Sequence, residues 1–263
     1  MPLPEQLHRF WIALDDLVVD VLPTTWGAVV TDARFPDVWD TNYARVDVAS
    51  AVSLARIEAD LLPALRRAGI RVEHLVSFHH EAHGDLLAEL SSRGHRISWD
   101  LAMVLEGPPV AARTLEMDVA VEELQPGEKL WAAAAGSMRD VFAIEPAAAV
   151  EQLLTLERAV LAPAGKRWFV VRGEDGTPVS LGTLLVLDGT GYIDNVATDP
   201  AARGRGYASA IVTRIGRETH RAGAAGPFLL CDPGAPATVR FYERLGFAPA
   251  GFLASTKGTT PGG

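Results

Sequence analysis

Residues 198–209 read TDPAARGRGYAS, and the fold turns on what these residues are for. They follow the apolar-rich run GYIDNVA (191–197) and lead into IVTRIGRETHRAG (211–223), with Ala208, Ile211, Val212 and Ile215 on one helical face. The pattern predicts a strand, a tight turn and an amphipathic helix. The first turn of a helix carries N–H groups without internal acceptors, and the helix dipole adds partial positive charge there. Gly204 and Gly206 permit backbone conformations that other residues resist, and they bring N–H groups against a ligand with no side chain between. Arg203 and Arg205 add mobile positive charge. Together these features suit a diphosphate. The alternative is an ordinary surface turn with incidental arginines. Two familiar nucleotide loops do not fit. No G-x-x-x-x-G-K-[ST] string occurs, and in the G-x-G-x-x-G pattern Ser209 stands where the third glycine belongs.

With 263 residues the chain can form one large domain or two ordinary ones. Its 48% hydrophobic and 22% charged content is that of a soluble globular protein. No apolar run approaches the roughly 18–20 residues of a membrane helix, so no membrane association is expected. The start, MPLPEQLHRFW, lacks a basic segment followed by an apolar one, and the single cysteine, Cys231, cannot form an internal disulfide. A cytoplasmic location is the expectation. The net charge of −9 argues against a nucleic-acid partner, which calls for a basic footprint. The acidity is uneven, with 16 acids against 9 bases in residues 1–112 and 17 against 15 in the remainder. The arginine-rich turn lies in the less acidic part.

EGPPVAARTLEMDV (106–119) is the candidate domain boundary, with paired prolines between two strand-like runs. This gives the partition 1–110, 111–255 and a flexible tail at 256–263, whose end is small and polar. Beyond the boundary, TLEMDVAVEEL opens as a strand, and LQPGEKLWAAAAGSMRDVF and EPAAAVEQLLTLERAVLA read as helices. RWFVVRGEDGTPVSLGTLLVL reads as a hairpin. After the turn and its helix, ended near Gly223, come the strand PFLLCD, the helix ATVRFYERLG stopped by Gly246, and the strand FAPAGFLAS. A faint repeat aligns RAG at 67–69 with RAG at 221–223, so that RVEHLVSF, LLAELSSRGH and ISWDLAMVL fall on the later strand, helix and strand. In that register ASAVSL (49–54) takes the place of RGRGYA and has no glycine, and Leu90 takes the place of Tyr242.

RGRGYA at 203–208 matches the R/Q-x-x-G-x-G/A signature and so resembles the GNAT superfamily of acyl-CoA-dependent N-acyltransferases. NVATDP before it is similar to the family's fourth strand, and FYERLGF (241–247) to its C-terminal helix motif. Order and spacing agree from about residue 113 to 255. The resemblance implies an α/β (α+β) fold, a mixed central sheet flanked by helices, in two tandem GNAT-like domains of which the first is a degenerate copy without a cofactor loop.

The resemblance also implies an N-acetyltransferase that uses acetyl-CoA (coenzyme A). The sheet would splay between the strands at 191–197 and 228–232. Pantetheine would pair with backbone of Val196, Ala197 and Thr198, and the pyrophosphate would lie at Arg203, Gly204, Arg205, Gly206, Tyr207, Ala208 and Ser209. A neutral amine of a small-molecule or peptide acceptor would attack the thioester directly, with an N–H near Val196 on the oxyanion. Tyr242 would protonate the departing thiolate, and Asp194 would take the proton of the amine. The competing readings are a packed core tyrosine and a surface carboxylate. One departure stands out, since many relatives carry Asn where this chain has Ala235, seven residues before Tyr242. A non-catalytic acyl-CoA sensor or scaffold is the alternative from a different class. A monomer or homodimer is expected.

Other features carry less. HHEAHG (79–84) spaces His79 and His83 by four, but His80 occupies the place of the glutamate in H-E-x-x-H, and no metal site is expected. Cys231 reads as core or pocket lining rather than a nucleophile. Trp26 and Trp39 read as packing residues. Trp131 and Arg139, on the WAAAAGSMRD helix, are the candidates for the acceptor-site wall by analogy with the family.

Overall fold

The structure is a computed structural model and describes residues 4–18, 20–70, 72–107, 119–142, 144 and 147–259. The chain divides into two compact units, one of residues 1–102 with 250–263, the other of residues 103–249.

The first unit comprises α1 (Glu5–Asp15), β1 (Asp20–Pro23), β2 (Gly27–Thr31), β3 (Tyr43–Val46), α2 (Leu54–Ala68), β4 (Val72–Ser77), α3 (Gly84–Ser92) and most of β5 (Arg96–Leu105). Strands β1, β2 and β3 are antiparallel neighbours, and β3 and β4 are parallel, joined through α2. Spacing explains α2. Leu54, Ile57, Leu61 and Leu65 recur at helical intervals and pack on Trp26, Val29, Ala44 and Leu75. Ser53 caps its start by accepting from Arg56 N–H, and Gly69, at φ 68°, ends it. Beneath the sheet Asp15 accepts from the Tyr43 hydroxyl at 2.5 Å and pairs with Arg45, which also bonds Asp47.

Gly27 is the tightest position in this unit. Its φ is +147°, and a Cβ there would lie 1.9 Å from the Arg45 carbonyl oxygen, a backbone atom that cannot swing aside. Gly27→Ala is therefore expected to destabilise the fold by about 2–4 kcal/mol. Urea unfolding checks it, and an unchanged midpoint would contradict the packing described.

The second unit comprises β6 (Glu122–Leu124), α4 (Glu128–Asp140), α5 (Ala147–Leu156), β7 (Arg167–Arg172), β8 (Pro178–Leu187), β9 (Thr190–Thr198), α6 (Tyr207–Arg221), β10 (Ala225–Cys231), α7 (Pro236–Arg244) and the start of β11 (Phe247–Thr259). Its strands lie in the order β10-β9-β8-β7-β6, and only the β9–β10 pair is parallel. Leu130, Ala134 and Met138 of α4 and Val150 and Leu154 of α5 cover one face against Trp168, Val170, Leu181 and Ala197. The other face belongs to α6. Ile211 and Ile215 close on Gly182, and Thr219 on Gly191, where a Cβ would stand 2.7 and 2.6 Å from their side chains. Glycine at these two strand positions lets the helix approach the sheet.

The helices, the hairpin and the strands around the arginine-rich turn form where the sequence predicts them. The connector expected at 106–119 and the start of the strand expected in TLEMDVAVEEL lie largely outside the described residues. The compact units are not the linear blocks 1–110, 111–255 and 256–263. Residues 254–259 of β11 pair antiparallel with 77–72 of β4, so the last strand of the chain completes the sheet of the first unit. The expected tail at 256–263 is corrected accordingly, because strand pairing persists through Thr259.

Candidate active site

The arginine-rich turn has the conformation its glycines predict. After a short helical turn at Pro200–Ala202, Gly204 and Gly206 sit at φ 78° and 77°, in the left-handed region. A Cβ on Gly204 would meet nothing within 4 Å. Gly206 is the N-cap of α6 and offers no side-chain acceptor, and the first intrahelical bond runs from Ala210 N–H to the Gly206 carbonyl at 3.0 Å. The N–H groups of Tyr207, Ala208 and Ser209 thus have no intrahelical acceptor. Arg203 and Arg205 are exposed, Arg203 donating through Nε to the Thr198 carbonyl at 3.2 Å. In the first unit, Ser53 caps α2 with its own hydroxyl.

The strand leading into the turn has an open edge. The β9–β10 ladder joins Thr190 to Ala225 and Tyr192 to Phe228, whose rings stack at 4.8 Å, and among the described residues it goes no further. Yet β9 continues to Thr198 and β10 to Cys231. On its other side β9 pairs Ala197 with Leu181 and Asp194 with Thr183 of β8, so Asn195 and Val196 together stand opposite Gly182 alone. Asn195 takes φ 54°, a conformation asparagine tolerates better than most residues. This bulge re-aims the strand directly after Asp194.

Asp194 is held from behind. Its Oδ2 accepts from Lys166 Nζ at 3.2 Å and from Asn195 Nδ2 at 3.0 Å, which among the described residues leaves Oδ1 available. Lys166 is buried and donates at 2.6 Å to Glu157, itself buried in a five-residue π-helical turn, Glu157–Leu161, that extends α5. Burial pulls the Lys166 ammonium down, but Glu157 and Asp194 outweigh burial, and its pKa ends well above the ordinary lysine value. Burial raises the Glu157 carboxyl above its ordinary range against the opposing pull of Lys166. Lys166→Met is expected to cost about 3–5 kcal/mol by leaving Glu157 buried without its cation. Adding Glu157→Gln should recover much of that loss in urea unfolding. A single variant as stable as the wild type would refute the pairing.

Tyr242, on α7, is buried at 7% exposure with its ring against Phe241 and Phe247. Burial raises its phenol well above the ordinary value of 10, and the adjacent Cys231 thiol and Asp194 carboxylate raise it further. Cys231 is a buried thiol 3.7 Å from the sulfur of Met103. Trp131 is half-buried under Arg158, whose guanidinium lies 5.4 Å from its ring centroid, and Arg139 is exposed on α4. Lys166, Glu157 and Asn195 are the site residues that sequence reasoning missed. The only local hint was an asparagine in the middle of a strand, a position where that residue is depleted.

Residues 129–247 match the model of the Acetyltransferase (GNAT) family. A search of the curated proteins found none that matches the chain. Among solved structures, the chain is similar to a conserved protein of unknown function from Staphylococcus epidermidis (14% identity, TM-score 0.68, covering 93% of this chain and 96% of that one). It is also similar to a GCN5-related N-acetyltransferase from Kribbella flavida (22% identity, TM-score 0.60, covering 86% and 84%). A third similar structure is a tandem GNAT protein from the clavulanic acid biosynthesis pathway (10% identity, TM-score 0.53, covering 78% and 69%). At these identities the likeness is one of fold.

Proposed function

We propose that the chain is an acetyl-CoA-dependent N-acetyltransferase acting on a primary amine, with the second unit catalytic and the first a degenerate GNAT-like copy in tandem with it. The observation that carries this reading is the open edge of β9 running into a turn where Gly204 and Gly206 expose the N–H groups at the mouth of α6. The residues fit coenzyme A, since an unpaired strand edge suits the amides of pantetheine and the cap without a side chain suits a diphosphate. Bound there, the coenzyme supplies an acyl group activated as a thioester.

The chain supplies the rest. Val196 to Thr198 hold the arm by backbone hydrogen bonds, and N–H groups around Gly204 to Ser209 hold the phosphates. The bulge sets Asn195 and Val196 together opposite Gly182, which supports Val196 N–H as the oxyanion donor. Asp194 Oδ1 binds the acceptor ammonium and takes its proton, directly or through water, while Lys166 and Asn195 fix the carboxylate from the other oxygen. Tyr242 gives a proton to the departing sulfur. In the first unit the Ser53 hydroxyl takes the Arg56 N–H, one of the groups a phosphate would need, which supports a single coenzyme site per chain. A cytoplasmic location accords with the single, buried Cys231.

The test is a thiol-release assay with acetyl-CoA and longer acyl-CoAs against small amines, aminoglycosides and peptides. At least one amine should release thiol at a rate that depends on its own concentration. Tight coenzyme binding with no release for any amine would favour a sensor of acyl-CoA.

A further inference from the structure

The β9–β10 ladder has a closed end as well as an open one. Its last pair among the described residues is Tyr192 with Phe228, whose rings stack at 4.8 Å with 28° between their planes. Phe228 is fully buried and Tyr192 is half-buried. Behind them Thr190 still pairs with Ala225, so the strands stay together on that side and part on the other. The stacked rings therefore stand at the apex of the splay.

They also stand in line with the transfer chemistry. Successive side chains of a strand point to opposite faces. Gly191 faces α6, since a Cβ there would lie 2.6 Å from the Thr219 side chain, so Tyr192 faces away from α6. Asp194, two residues on, shares that face, where Lys166 reaches it. In the proposed site the phosphates lie at 204–209 and the coenzyme arm descends β9 from Thr198 to Val196. An acyl group on the sulfur continues in the same direction, toward Tyr192.

The distance available is short. Val196 and Tyr192 are four positions apart, and the bulge absorbs one of them. Three strand steps of about 3.3 Å give roughly 10 Å. Contact with a ring stops a carbon about 3.5–4.0 Å before it, which leaves about 6 Å. An extended chain advances about 3.3–3.6 Å in three bonds, so the space takes roughly five bonds beyond the carbonyl carbon. An acetyl or butyryl group fits this length, and an octanoyl group overruns it. We propose that the Tyr192–Phe228 stack is the floor of the acyl pocket and restricts the donor to short-chain acyl-CoA. The proposal rests on the coenzyme site described above and adds the residues that read the acyl chain.

Calorimetry of the full chain with coenzyme A, acetyl-CoA, butyryl-CoA and octanoyl-CoA tests it without an acceptor amine. The wild type should bind octanoyl-CoA about tenfold or more weakly than acetyl-CoA, the order of cost that overfilling a packed space carries. Tyr192→Ala removes the half-buried ring and leaves Phe228 in place, and it should raise the ratio of octanoyl to acetyl affinity by at least about tenfold. Tyr192→Val, better suited to a strand, repeats the measurement with a smaller risk of unfolding. Tyr192→Phe keeps the ring and should keep the wild-type ratio, which assigns the effect to bulk and not to the hydroxyl. Unfolding midpoints report that the variants are folded. A wild type that binds octanoyl-CoA as tightly as acetyl-CoA would overturn the proposal. An unchanged ratio in folded Tyr192→Ala or Tyr192→Val, with coenzyme A still bound, would overturn it while leaving the coenzyme site intact. Failure of all four ligands to bind the wild type would overturn the coenzyme site itself, and the floor with it.

Discussion

Gly206→Val is expected to weaken coenzyme A binding by at least about 100-fold, or some 2.7 kcal/mol. Two effects act together. Gly206 holds φ 77° at the cap of α6, a conformation a β-branched residue resists, so the turn must move and its N–H groups with it. Any side chain kept in place would also stand at the helix mouth, between backbone and ligand. Gly206→Asn separates the two, since asparagine tolerates the conformation but still adds atoms. It should bind coenzyme A more weakly than the wild type and unfold at nearly the same denaturant concentration. Calorimetry giving wild-type affinity for the valine variant would remove the turn from the site.

Tyr242→Phe is expected to lower turnover on the order of 100-fold, the lower range for a positioned general acid, with coenzyme A affinity changed less than about twofold. The ring is packed on Phe241 and Phe247, and phenylalanine retains those contacts, so the lost hydroxyl is what is measured. The pH dependence has a definite sign. Because burial, Cys231 and Asp194 all raise the phenol's pKa, it stays protonated beyond the ordinary tyrosine value, and the wild-type rate should show no fall from this group between pH 8 and 10. A tyrosine acting as a base would need the anion and would give a rate climbing through alkaline pH. Equal turnover of the two proteins at every pH would leave Tyr242 a packing residue.

Local chemistry made much of this legible in the sequence. Gly204, Gly206 and the amphipathic run after them define the turn and α6 within some twenty residues, and FYERLG fixes α7 and its stop in the same way. What escaped depends on distant residues. Lys166 is 28 positions from Asp194 and reads in isolation as one more basic residue at a strand start. Its burial becomes evident only once β7 and β9 flank β8 and the π-helical turn carries Glu157 over them. The end of the chain is similar. STKG is small and polar and looks frayed, yet its hydrogen bonds go to β4, with His74 Nδ1 2.5 Å from the carbonyl of Thr256, 182 residues on. Trp131 and Arg139 rest on analogy with the family alone, because α4 has alanines on every side and periodicity does not say which face meets the sheet. The structure puts Leu130, Ala134 and Met138 inside, with Trp131 packed partly buried against them. Asn195 bulges because a strand that must stay paired to β8 yet bend away from β10 has to absorb an extra residue.

Hydrogen exchange with and without coenzyme A, read by mass spectrometry, tests the central claim most directly. Protection is predicted at the amides of 196–198 and 204–209, with no change across 49–56 at the start of α2. Bound coenzyme that slows exchange at 49–56, or that leaves 204–209 untouched, would contradict the account.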